Sequence, residues 1–508
     1  MELYRELLNI LTQYKRNQFQ ILGLENGTKA NQYDRLYDFM IANPEATFED
    51  CLSLLFPVGK RKQFTNFLGK FKGRLINALF LIDIKKTNYG VRNEGYYLGW
   101  KNLAAIKILL RLGAKTAAED LLKQTLKIAL PTENFSVLAE LYRVQSDIAA
   151  HRAAPEEVEG YFNEFLKYNE LYVQFSRAKF LYAGIQSQLF NRKSLPKELA
   201  EVTARAKKQM ESMVADHDFD LIWMMYYFIV YNYYSSRNMK QEIVTLMREA
   251  IARLKDSKAV TTGSIGTFYH IQMVSQAALG RYDEVIELSE RSEVYMIGSS
   301  SLNYFVGKEF LCLVLLYKGD YQVALEEYYK LRKNPSFKKL SPYKRENWII
   351  IEAFLQLLNL VGYIETTDHL KLPRFSPAKF ANEVIHNQKD KQGFNVTYQI
   401  LQVLFMLQTQ KLDRAEDKIM SLYKYAQRHL RDDPETERSF LFISALVQIP
   451  RGGFDYREVE SRAKVWLDKM NAISPLQTAS PFEVEIIHYS KMWDLGMLLL
   501  SKKGILAN

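Results

Sequence analysis

At 508 residues the chain is too long for one hydrophobic core, which stops growing at roughly 250–300 residues, so it is a set of domains or an array of repeats. Hydrophobic residues make up 48% and charged residues 25%, as in folded water-exposed proteins, and 23 glycines with 13 prolines favour long helices over many short strands. A formal charge of +10 is a small excess that does not by itself indicate nucleic acid, and two cysteines exclude a disulfide framework beyond one bridge.

The N-terminus, Met1-Glu2-Leu3-Tyr4-Arg5-Glu6, carries acids where a secretory signal needs a basic start and an apolar run, which predicts a cytoplasmic protein. Helices are predicted over Glu2–Leu22, Ala30–Ala42, Phe48–Phe56 and Lys60–Ile84. In the last of these, Phe64, Phe67, Leu68, Phe71, Leu75, Leu79 and Ile82 form one apolar stripe at helical spacing. Its polar side carries Arg61, Lys62, Lys70, Lys72 and Arg74, a candidate surface for nucleic acid or another anion, or the solvated face of a capping helix. Cys51 and Cys312 stand in apolar runs and are expected to act as small core residues. Asn88 to Gly99, with Gly90, Gly95 and Gly99, is expected to be a connector, and no repeat is visible before about residue 93.

Beyond it a unit recurs: an apolar helix ends at a small or turn-forming residue, and an amphipathic helix follows at once. Ala277-Ala278-Leu279-Gly280-Arg281-Tyr282-Asp283-Glu284-Val285-Ile286-Glu287 aligns without a gap on Leu315-Leu316-Tyr317-Lys318-Gly319-Asp320-Tyr321-Gln322-Val323-Ala324-Leu325-Glu326, about 39 residues later. Leu112-Gly113-Ala114-Lys115-Thr116-Ala117-Ala118-Glu119 and Gln410-Lys411-Leu412-Asp413-Arg414-Ala415-Glu416 are weaker copies. Further turns are expected at Arg152-Ala153-Ala154-Pro155, Asn191 to Pro196, Ser235-Ser236-Arg237-Asn238, Val361-Gly362 and Arg451-Gly452-Gly453, with a helix start at Ser376-Pro377, so turns recur every 39–48 residues or so. The first helix of a pair, as in Leu221 to Tyr234, is apolar nearly all round and belongs inside a stack. That run also falls short of the roughly 20 residues that span a bilayer.

The pattern Gly-x-Tyr-x-x-Ala/Val-hydrophobic-Glu at Gly280 and Gly319 resembles the turn and second helix of tetratricopeptide repeats. The first helices do not carry that family's Trp-x-x-Leu-Gly signature: Met273 and Cys312 stand where its glycine would. The resemblance implies an all-α fold, an α-solenoid (a right-handed superhelix) of antiparallel helix pairs with a helical N-terminal cap region. The expected organisation is 1–93 as a locally basic, non-repeat helical region, 94–475 as about nine helix pairs, and 476–508 as an apolar capping helix that folds back on the stack or meets a partner. The resemblance further implies a scaffold that holds a peptide or helix of another protein in a concave groove. Transferred at the turns, its register points Tyr227, Tyr231, His270, Glu309, Glu352 and Gln356 toward that groove; the two tyrosines read equally well as packing residues, whereas a lone buried carboxylate is costly. The alternative is a regulator that couples such a solenoid to nucleic acid or another anion through the basic N-terminal helices.

No sequence motif assigns a catalytic residue, a cofactor or a metal. The seven histidines include no His-Glu-x-x-His. Asp216-His217-Asp218 is expected to be a loop, with Asp218 or Asp220 capping the next helix. Gly307-Lys308 lacks the Ser or Thr of a phosphate-binding loop, and Gly263-Ser264-Ile265-Gly266 is expected to break a helix rather than cradle phosphate. No Gly-x-Ser-x-Gly occurs. An enzyme would need a site assembled from distant residues. The predicted partner is therefore another protein or peptide, with no membrane.

Overall fold

The computed structural model describes residues 1–12, 32–56, 60–82, 90–190, 196–296, 302–377, 380, 394–475 and 485–501. Among them the chain is all-helical, with no β-strand and one isolated bridge between Thr367 and Leu370. It divides into two compact units, Met1–Glu170 and Leu171–Asn508.

The first unit opens with α1 (Glu2–Thr12), α2 (Gln32–Ala42), α3 (Phe48–Leu55) and α4 (Arg61–Leu79). Thr47 and Asp50 form a capping box that starts α3. Leu8, Leu11, Leu36, Met40, Cys51 and Leu52 pack on Phe64, Phe67, Leu68, Phe71 and Leu75 of α4, so the predicted stripe is buried as far as Leu75, while Leu79 and Ile82, the latter beyond the helix end, are half-buried. Next come α5 (Gly90–Arg111), α6 (Lys115–Ala129), α7 (Phe135–His151) and the start of the 36-residue α8 (Pro155–Phe190). The expected connector is thus half of a helix from Gly90 onward. Gly95 and Gly99 are buried within α5 because a Cβ there would lie 2.6 Å from Thr132 Cγ2 and 2.9 Å from Asn134 Nδ2 respectively. They mark close approach of the α6–α7 turn, not a break. Residue 93, the expected boundary, lies inside α5.

The second unit continues with α9 (Pro196–Asp216), α10 (Asp220–Ser235), α11 (Lys240–Leu254), α12 (Thr262–Ala277), α13 (Tyr282–Met296), α14 (Leu302–Lys318) and α15 (Tyr321–Lys333). A short 3-10 turn, Pro335–Lys339, leads to α16 (Pro342–Val361), α17 (Phe394–Gln408), α18 (Leu412–His429), α19 (Glu437–Leu446), α20 (Gln448–Arg451), α21 (Tyr456–Asn471) and α22 (Tyr489–Ser501). Successive helices pack on one another, and α12 also touches α14, as α14 touches α16. One continuous cluster of buried side chains runs from Tyr227 to Leu500. Gly263 and Gly266 lie in the first turns of α12, where Thr261 caps the helix by accepting from the Ser264 amide; Gly266 rests against Met296, so that segment is not a loop.

One backbone device closes the helix ends. A residue with positive φ stands at Gly113, Glu133, Ala153, Asn238, Gly280, Gly319, Gly362, Gln410 and Gly453. After each, the next amide donates to the carbonyl five residues back, from Ala114 to Leu109 through Phe454 to Ile449, at 2.9–3.2 Å. This six-to-one bond satisfies a carbonyl that the helix end leaves bare and reverses the chain in two residues. The predicted turns fall on these positions or within one residue of them, apart from Asn191–Leu195, outside the described residues. The turn at Glu133 was not anticipated.

Candidate functional site on the first helices

In the second unit the helix before each tight turn is mostly apolar, so its few polar groups are conspicuous. On α10, Tyr227 is only 4% exposed and packs edge-on against Phe268 at 6.2 Å. Burial pushes its hydroxyl up to about 12, and it is a packing residue between α10 and α12. Tyr231, one turn on, is half-buried; burial raises its hydroxyl, against a hydrogen bond with Ser235.

His270 on α12 meets Phe310 of α14 in a T-shaped contact at 5.7 Å. Burial, helped by the positive charge of Lys344 on α16, pushes its imidazole down to about 4, so the ring is neutral at physiological pH. Its Nδ1 is buried without a hydrogen-bond partner. Next to Phe310, the Glu309 side chain accepts from Asn347 Nδ2 of α16 at 2.7 Å. His270, Glu309, Phe310, Lys344 and Asn347 thus converge from α12, α14 and α16. Sequence reasoning found His270 and Glu309, which stand equally far before Gly280 and Gly319. It missed Phe310, Lys344 and Asn347, for which adjacency to Glu309 and one helical turn within α16 were the available signals.

The other two predicted groove residues are not open. Glu352 accepts from Arg332 Nη1 at 2.9 Å and from the Tyr328 hydroxyl, both on α15, so it ties two neighbouring helices. Gln356 donates to the Pro373 carbonyl at 2.7 Å and pins the loop after α16. Lys308 is not a phosphate ligand either: it is buried in α14 between Glu293 and Glu327, the latter at 3.0 Å. Neither Asp218 nor Asp220 is the cap of α10, whose N-cap is Phe219: Asp218 accepts from Trp223 Nε1 at 2.9 Å and from Arg253 of α11. Among the described residues no group of three metal-ligating side chains comes together, and no helix is long and apolar enough to cross a membrane.

A second polar cluster holds the end of the chain. Arg438 and Glu485 are 2% and 3% exposed and paired by two hydrogen bonds, Nε to Oε2 at 2.7 Å and Nη2 to Oε1 at 2.8 Å. Arg438 Nη1 also donates to the carbonyls of Met470 and Ile473, and the Tyr489 amide donates to Glu485. His488 Nε2 lies 3.1 Å from the Tyr317 hydroxyl. With these contacts α22 packs on α16, α17 and α21, and Met492, Trp493, Leu495, Leu499 and Leu500 are buried. The apolar C-terminal helix therefore folds back on its own unit.

In the first unit, Arg61 pairs with Glu49 at 2.7 Å, and the Arg74 guanidinium lies over the Tyr33 ring at 4.1 Å. Lys62, Lys70 and Lys72 are exposed. The chain matches no protein-family model, no curated protein and no solved structure.

Proposed function

We propose that the helix pairs form a tetratricopeptide-like right-handed solenoid, and that the protein is a cytoplasmic scaffold binding a peptide or helix of another protein along α12, α14 and α16. The observation that carries this is the convergence of an uncharged imidazole with an unsatisfied nitrogen, an aromatic ring, a carboxylate–amide pair and a lysine from three first helices. A peptide offers matching chemistry: backbone N–H and C=O groups for His270 and Asn347, and an apolar side chain for Phe310.

The test is quantitative affinity capture from the native cell, comparing the intact chain with a His270→Leu/Asn347→Ala variant whose helical circular dichroism is unchanged. A partner should be retained by the first and reduced at least tenfold on the second. Equal retention of every captured protein by both would remove α12–α16 as the binding face.

A further inference from the structure

The strongest one-sided charge on a described helix is on α4. The helix Arg61–Leu79 contains no acidic residue. Its buried stripe fixes which side faces out: with Phe64, Phe67, Leu68, Phe71 and Leu75 turned into the core, the opposite line is Lys62, Asn66, Gly69, Gly73, Ile76 and Asn77, all exposed. Lys70 and Lys72 are exposed on the two flanks, since residues two apart lie about 160° apart around a helix. The two arginines are engaged within the fold, by Glu49 and Tyr33. The three lysines form no ion pair, and the two asparagine side chains no hydrogen bond, with any described residue. On α3, Glu49 is taken up by Arg61 and Asp50 by the cap at Thr47. The exposed line is also low: a Cβ added at Gly69 or Gly73 would meet nothing within 4 Å.

We propose that α4 docks in the major groove of double-stranded DNA, a function separate from peptide binding on α12–α16. A helix about 10–12 Å across fits a groove about 12 Å wide. Lys62, Lys70 and Lys72 lie along about 15 Å of the helix axis. From both flanks Lys70 and Lys72 reach the phosphates on the two groove walls, with Lys62 at the leading end. Asn66 and Asn77, centred on the line, face base edges, where an amide can pair with adenine. The low middle of the line lets the helix approach closely. Duplex RNA is a poorer fit because its major groove is deep and narrow. An anionic membrane would engage the lysines but not a central line of amides and glycines.

The test is fluorescence anisotropy of the full chain with a labelled mixed-sequence duplex of about 25 base pairs, titrated at several salt concentrations. Binding should weaken with salt, and the Lys62→Gln/Lys70→Gln/Lys72→Gln variant should bind at least tenfold more weakly, with a log–log salt slope shallower by about 2–3. Gly73→Leu, which adds bulk into open space and raises helix propensity, should keep the fold and weaken DNA binding severalfold. His270→Leu/Asn347→Ala should bind DNA like the intact chain, so failure here is separable from failure of the peptide site. No binding at low salt, a triple variant indistinguishable from the intact chain, or equal affinity for heparin or phosphatidylserine vesicles overturns the proposal.

Discussion

Removing Arg438 tests whether the last helix is held by one clasp. Arg438→Met would leave the Glu485 carboxylate buried with the Tyr489 amide and His488 as its remaining polar neighbours, and would strip the Met470 and Ile473 carbonyls of their donor. Breaking a buried pair from one side costs about 3–5 kcal/mol, because the surviving charge stays desolvated. Replacing both members, as Arg438→Met/Glu485→Leu, removes that charge and should cost less than the sum of the single variants by about 2 kcal/mol or more. Stacked helices need not unfold in one step, so a global melt is a poor readout. Amide hydrogen exchange of residues 489–501 reports the clasp directly. A loss of about 3 kcal/mol would speed exchange there roughly a hundredfold, with α12 and α14 little changed. Exchange in α22 within threefold of the intact protein would show that its apolar packing alone holds it.

Three further predictions follow from backbone and burial. Ala153→Gly and Gln410→Gly, at φ of 55° each, should raise local stability by about 0.5–1 kcal/mol, whereas Gly319→Ala, at φ 96°, should lower it by about 1–2 kcal/mol; equal exchange rates in all three would contradict the turn geometry. Gly452→Ala should be worse than Gly319→Ala in amide exchange of the flanking helices, by about 1–3 kcal/mol, because its Cβ would lie 3.0 Å from the Val459 amide nitrogen and 3.2 Å from the Gln448 carbonyl, while at Gly319 it meets nothing; a milder effect at 452 would show that the α20–α21 turn yields. His270 titrates at about 4 when folded against 6.5 unfolded, so the unfolded chain binds the extra proton in between and stability falls as pH drops from 6.5 toward 4, by about 3 kcal/mol in all. His270→Phe should flatten that slope in the amide-exchange stability of α12 measured at pH 4.5 and 7.5; an unchanged slope would place the imidazole in water.

How much was legible followed from how local each cause is. The turns at Gly113, Gly280, Gly319 and Gly362 could be read because positive φ is cheapest for glycine, and the residue type records the conformation. The same turn at Glu133 passed unseen because the fold imposes positive φ on a residue that does not advertise it. Gly95 and Gly99 misled in the opposite way: a glycine that admits a neighbour's side chain looks, in one dimension, like a glycine that ends a helix. Arg438 and Glu485 are 47 positions apart, and a contact of that span leaves no periodic trace.

The fate of the polar residues on the first helices depends on partners that no pattern specifies. Glu309, Glu352, Gln356 and Lys308 occupy equivalent apolar surroundings, yet Glu352 and Lys308 are answered by the second helix α15, Gln356 by a loop and Glu309 by another first helix. A residue answered by α15 or by a loop contributes to assembly, so mutating it tests stability more than recognition. Under the proposed function, only contacts between first helices leave groups on the binding face. That distinction moves the binding test away from Glu352 and Gln356 and onto His270 and Asn347. His270 is the sharper probe, because its buried Nδ1 makes no hydrogen bond within the described fold, and leaving such a nitrogen unpaired is costly.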